Sequence, residues 1–199
     1  MNKILRYSVN LFVHPRFALQ SLLDDPKRIG LGFIGPAFLA VVYLIGISTA
    51  LAMKVEHLPQ FPILKIPPEQ YYAFERFYIL PVGIAGMILC AGAIQLAAHL
   101  WKGRGQFEYL FALLGFSLIV VAIVIGIPDL VLAILAGIGV SIPIGWVLSG
   151  PHIWLGTLWY FVLTIFAVKE VEHLSWSKTI MLSLIGFIVN GVVQFIFIR

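Results

Sequence analysis

Residues 130–168, LVLAILAGIGVSIPIGWVLSGPHIWLGTLWYFVLTIFAV, form an unbroken run without Asp, Glu, Lys or Arg. A helix rises about 1.5 Å per residue, so about 20 apolar residues cross a hydrocarbon core of about 30 Å. The run is therefore long enough for two crossings. Its second part, from His152 to Val168, reads as a clean span. Its first part, 130–148, is interrupted by Gly137, Gly139, Pro143 and Gly145, and Gly150 and Pro151 follow. Whether that part crosses decides between five spans and six.

Outward from this stretch, four more segments lack charge: 30–53, 77–101, 109–128 and 179–198. No internal repeat or low-complexity tract interrupts them. The basic residues arbitrate the count, because cytoplasmic loops hold an excess of Lys and Arg. Lys3, Arg6, Arg16, Lys27 and Arg28 place the N-terminal segment inside. The loop 102–108, with Lys102 and Arg104, then falls inside as well, and the loop after the third span has no base. If 130–148 does not cross, the loop 169–178 lies inside, where Lys169 and Lys178 belong. If it does cross, Arg199 is the one base left on the last inner face. Five crossings fit better, with the N-terminus inside and the C-terminus outside. Residues 130–148 then form a re-entrant or interfacial excursion broken at Pro143. Such backbone persists in a membrane only when protein covers it or it lines a wet cavity.

The expected fold is an all-α integral membrane bundle of five transmembrane helices, with an interfacial N-terminal helix at 1–29 ahead of a membrane domain at 30–199. Composition agrees. Of the 199 residues 61% are hydrophobic and 11% charged, against roughly 25% charged in soluble domains. Lipid is the expected surrounding of most of the surface. The net charge of +4 reflects orientation, not nucleic acid, since no basic stripe with interleaved aromatics occurs. Cys90 is the single cysteine, so neither an internal disulfide nor a multi-cysteine metal site can form. The first 29 residues show no signal-peptide pattern, and the first span is expected to serve as an uncleaved insertion signal.

The N-terminal segment is apolar at spaced positions (Ile4, Leu5, Val9, Phe12, Phe17, Leu22, Leu23) and interrupted by bases, the pattern of an interfacial helix. Pro15 suits the first position of a second short helix. The outer loop 54–76 contains Pro59, Pro62, Pro67 and Pro68 with three bases and three acids. Its first half is expected to be irregular. After Pro68, EQYYAFERF starts a helix that merges into the second span, placing Tyr71, Tyr72, Phe74 and Tyr78 at headgroup level.

Ionisable residues inside spans mark function, because burying them is costly. Few occur here. Asp129 ends a span, His99 and His152 lie near span ends, and His14, His57 and His173 flank spans. No HExxH spacing and no paired carboxylates face a core, so no catalytic residue, metal site or cofactor is assigned. Two rows remain. Gln95 and His99, and likewise Asn190 and Gln194, are four apart and share helix faces. With Ser117 they form a candidate intramembrane polar cluster whose plainest role is hydrogen bonding between helices. The rival reading makes Gln95, His99, Ser117 and Asn190 a path through a small transporter or channel-like subunit. Lys102, Arg104, Lys169, His173 and Lys178 form a candidate cytoplasmic contact surface. The plain reading is that these bases only orient the chain, and the sharper one is that they meet anionic headgroups or hold a membrane-associated partner protein. Gly83, Gly86, Gly92, Gly186 and Gly191 serve close helix packing, and a homo-oligomer is not specifically indicated.

Three stretches carry a family likeness: NLFVHPRFALQSLLDDP from Asn10, KGRGQFEYLFALLGFSLI from Lys102, and IWLGTLWYFVLTIFAVKEVEHLSWSKTIMLSLI from Ile153. The chain resembles the YIP family (Ypt/Rab-interacting protein, Yip domain) of small five-span membrane proteins. The resemblance implies a non-enzymatic protein. Eukaryotic relatives act in vesicle traffic between endoplasmic reticulum and Golgi, bind Rab-type GTPases and have a longer cytosolic N-terminal region than the 29 residues expected here, so no partner-binding residue carries over. The compact form looks like a prokaryotic member, set in the cytoplasmic membrane.

Overall fold

The computed structural model describes residues 3–54, 63–143, 146 and 150–197. Pro59 and Pro62 of the expected irregular loop fall outside these residues, as do four positions near the end of 130–148. Among the described residues all regular structure is helical, with no strand. Five helices are long and apolar enough to cross a membrane: Arg28–Met53, Tyr71–Leu100, Phe107–Gly137, Pro151–Glu172 and Trp176–Phe197. The lipid bilayer is the environment such helices require.

Two short helices come first, α1 (Lys3–Val13) and α2 (Pro15–Leu23). Pro15 opens α2 at its first turn, where its missing N–H costs nothing and its fixed φ already suits the helix. The first span is α3 (Arg28–Gly32) joined to α4 (Ile34–Met53). The break between them has a local cause. Pro36 has no N–H to give the Gly32 carbonyl, so that carbonyl faces another helix instead.

The second span is α5 (Tyr71–Leu100), entered from a single turn at Pro68–Gln70. It begins where the sequence indicates, but Tyr71 is fully buried and its hydroxyl donates to the Phe197 carbonyl at 3.3 Å. The third span is α6 (Phe107–Val121), one wider π-type turn at Ala122–Gly126, then α7 (Ile127–Gly137). Single π turns of this kind interrupt α-helices without ending them. Residues 130–137 thus prolong the third span, and 138–143 leave the helix. The last spans are α8 (Pro151–Glu172) and α9 (Trp176–Phe197).

The first and third spans run parallel in steady register. Arg28 lies over the Tyr109 ring at 4.3 Å, Gly32 meets Ala112, Gly35 meets Gly115, Val42 meets Gly126 and Met53 meets Gly137. The crossing at Gly32, Gly35 and Gly115 is backbone against backbone. A Cβ on Gly35 would strike the Gly115 carbonyl oxygen, and one on Gly115 the Gly32 carbonyl oxygen. Small residues permit this approach, and close packing rather than water exclusion drives association in lipid. The second and fifth spans pair antiparallel, with Gly186 against Cys90 and Ile94, and Gly86 against Asn190 and Val193.

α6 is the centre of the molecule, with every residue from Leu110 to Val120 buried. Leu11, Ala18, Leu19 and Leu22 of the α1–α2 hairpin join the same core as Phe116, Leu163 and Val168. The hairpin is pinned by polar contacts as well. Lys3 meets Asp25 at 2.5 Å, the Tyr7 hydroxyl donates to Asp25 at 3.2 Å, and the Lys27 N–H donates to it at 3.0 Å. The Lys3 ammonium, then the Lys27 N–H, hold the Asp25 carboxyl below its ordinary range, and Asp25 raises Lys3 in turn.

Candidate functional site

The polar residues gather where α5 turns into α6, beneath the turn between α8 and α9. α5 ends in a Schellman turn. The Lys102 N–H donates to the His99 carbonyl at 3.1 Å and the Gly103 N–H to the Ala98 carbonyl at 2.9 Å. This places Lys102 at φ 63°, a left-handed position usually taken by glycine. The glycines one and three residues later answer another demand. Glu172 at the end of α8 is 1% exposed and lies against the loop. A Cβ at Gly103 would collide with a Glu172 carboxylate oxygen, and one at Gly105 would stand 2.5 Å from the other. With no side chain there, the Gly105 N–H reaches Glu172 Oε2 at 3.0 Å. From the other side Gln95 Nε2 donates to the Gly105 carbonyl at 2.7 Å. Gly105 is therefore clamped at both polar atoms, between α5 and α8.

The clamp sets which side chains face outward. Lys102 and Arg104 are exposed while Gly103 and Gly105 turn inward. His99 is exposed, with Nδ1 2.7 Å from the Gln95 carbonyl. In the neighbouring turn His173 is exposed at φ 53° and Lys178 is exposed too. Lys169 is committed within that turn. Its ammonium donates to the Leu174 carbonyl and lies 5.3 Å from the Trp176 ring. Nearby, Glu170 accepts from Arg16 Nε at 2.6 Å and from Gln20 Nε2 at 2.8 Å.

The structure thus brings Gln95 and His99 together with Lys102, Arg104, Lys169 and His173. It does not bring them to Ser117, Asn190 or Gln194. The Ser117 hydroxyl is spent on the Leu113 carbonyl of its own helix at 2.8 Å. Asn190 packs beside Gly86, and Gln194 is half-buried further along α9. Gly86 and Gln95 lie about 13 Å apart along α5, and Met87, Cys90, Ala91 and Ile94 between them are all buried. The face joining the two polar groups is apolar.

At the opposite end, two features escape a reading of spacing. Glu75 is fully buried near the start of α5 and accepts from the Tyr43 hydroxyl at 3.2 Å. Asp129 and His152 meet at 2.8 Å, with 14% of the His152 side chain exposed. His152 is therefore a paired residue joining α7 to α8. Among the described residues no group of three or more His, Cys, Asp or Glu could hold a metal ion.

A parallel first and third span and an antiparallel second and fifth define a multi-pass α-helical membrane protein of the compact bundle class. The family model of the Yip1 domain matches residues 9–198, and the chain belongs to this family. Proteins with this domain are generally non-catalytic trafficking proteins. No curated protein and no solved structure matches the chain.

Proposed function

We propose that the chain works without catalysis, organising the membrane and recruiting a partner protein to the face that carries the clamped glycine loop. The distribution of charge carries this reading. Nine of the thirteen Lys and Arg stand at that end: Lys3, Arg6, Arg16, Lys27, Arg28, Lys102, Arg104, Lys169 and Lys178. Lys54, Lys65 and Arg76 belong to the other. Three of the acids at the basic end, Asp25, Glu170 and Glu172, are buried and engaged. What remains at the surface is an excess of positive charge on rigid turns.

The same bias argues that this end is cytoplasmic, with the N-terminus inside and the C-terminus outside. The apolar packing from Met87 to Ile94 favours this reading over a transport path through Gln95, His99 and Asn190.

The test is copurification of native partners from crosslinked membranes. The double variant Lys102→Glu, Arg104→Glu changes only exposed side chains. It is expected to insert and fold normally and to lose the partners that the wild type retains. Retention of the same partners would refute the recruiting role. A C-terminal reporter fusion is expected to signal the outer side.

A further inference from the structure

We propose that the α1–α2 hairpin is a wedge held in one leaflet, its outer face covered by the phospholipid of the leaflet on the glycine-loop side. This does not depend on the loops recruiting a partner.

The hairpin has two apolar faces. One, carrying Tyr7, Leu11, Ala18, Leu19 and Leu22, is in the protein core. The other exposes Leu5, Val9, Phe12, Val13 and Phe17, with Val13 and Phe17 each 61% exposed at the tip beside exposed His14 and Arg16. Five exposed large apolar side chains on a helix pair that is already packed need an occupant, and in a chain of five spans the adjoining medium is lipid. Exposed Lys3, Arg6 and Lys27 lie at the base of the hairpin, where anionic headgroups would meet them.

Depth follows from its partners. At the rim, Lys3 pairs with Asp25, and Arg16, next to the tip, reaches along its stem to Glu170 near the end of α8. Deeper in, the Tyr7 ring stands 6.1 Å from Phe116, nine residues into α6, and the Trp159 indole N–H donates to the Leu11 carbonyl at 3.1 Å. Nine residues rise about 13 Å, close to half of a core of about 30 Å. The hairpin therefore enters one half of the bilayer. Among the described residues the other half carries no second pair of short helices.

Part of the backbone at the tip finds its partners within the protein. The His14 N–H donates to the Asn10 carbonyl at 2.8 Å and the Ala18 N–H to the His14 carbonyl at 3.0 Å. Pro15 has no N–H, and Trp159 serves the Leu11 carbonyl from α8. Lipid supplies no such partners, so a turn that enters it must find them within the protein. An amphipathic element inserted into one leaflet responds to membrane curvature.

Two measurements on the full chain decide the proposal. In a Cys90→Ala background, an environment-sensitive dye is placed at Val13→Cys or Phe17→Cys in vesicles of phosphatidylcholine and phosphatidylglycerol. Quenching by lipids brominated in the upper acyl chain is expected, with protection from aqueous iodide. Iodide quenching equal to that of free dye would overturn the insertion. In giant vesicles swollen from expressing cells, where all copies face one way, the wild type is expected to partition between flat membrane and a pulled tube differently from a lipid dye. Val13→Ser with Phe17→Ser, both outside the core, is expected to lose that difference. A wild type that follows the lipid dye, or a double variant that sorts as the wild type does, would overturn the wedge.

Discussion

The third and fifth spans are both strongly apolar, yet they live in different surroundings. In the most apolar stretch of Phe107–Gly137, 72% of residues are buried, against 17% in Trp176–Phe197. In water such a contrast would show in composition. In lipid it does not, because a leucine is as well solvated by acyl chains as by other leucines. What separates the two is what each can approach. α6 meets the glycines of α3 and α4 backbone to backbone, and the hairpin and α8 cover its other sides. α9 has α5 and α8 as its main neighbours and leaves Met181, Leu184, Ile188, Val192 and Phe195 outward.

The contrast is broken most directly at the crossing. Gly115→Val would drive a branched side chain into the Gly32 carbonyl and Met87. The expected cost is at the upper end of overpacking, about 3 kcal/mol or more, read as loss of monodisperse protein and a lower thermal midpoint in detergent.

A matched pair sharpens it. Leu113 on α6 is fully buried and Ile188 on α9 is 56% exposed. Leu113→Ala is expected to cost about 2 kcal/mol or more through the cavity it leaves. Ile188→Ala should stay within about 0.5 kcal/mol. Equal losses in equilibrium unfolding would mean that the face of α9 is covered by something other than lipid.

The smallest effect concerns the hairpin that covers α6. Asp25 titrates below its ordinary value, which is about 3.9. Its contribution is therefore present above that value and lost as pH falls through the lower, folded one. Lys3 is shifted upward, so its share is complete below its ordinary value and is lost as pH rises through the folded one. Asp25→Asn should lower the thermal midpoint at neutral pH, and the gap to wild type should close in acid. A gap that persists unchanged would mean that the Asp25 carboxylate is not what pins the hairpin.

The spans were legible because charge-free length is a property of the chain itself. So was Pro15, whose place at the head of α2 follows from its ring. The excursion at 130–148 was harder. No composition rule states that a helix runs on through a π turn to Gly137 before the chain departs. The candidate site was half legible. The left-handed residue of the loop is Lys102, while Gly103 and Gly105 answer to Glu172, 67 residues and more away. Glu75, Glu170 and Glu172 read as loop or boundary charges in sequence, since nothing local tells which carboxylate folds inward. Gln95 and Asn190 sit on neighbouring helices, yet register keeps them apart.

The steady register of the first and third spans also bears on how the molecule fits its membrane. The third span has 31 residues and the last two have 22 each, about 46 Å and 33 Å if straight. Locked side by side from Arg28 and Tyr109 to Met53 and Gly137, the long pair has to lean as one body. Any length left over is met by local thickening of the bilayer, at fractions of a kcal/mol per Å. The lipid beside that pair is where such thickening would fall, which gives membrane thickness a hold on where the protein resides.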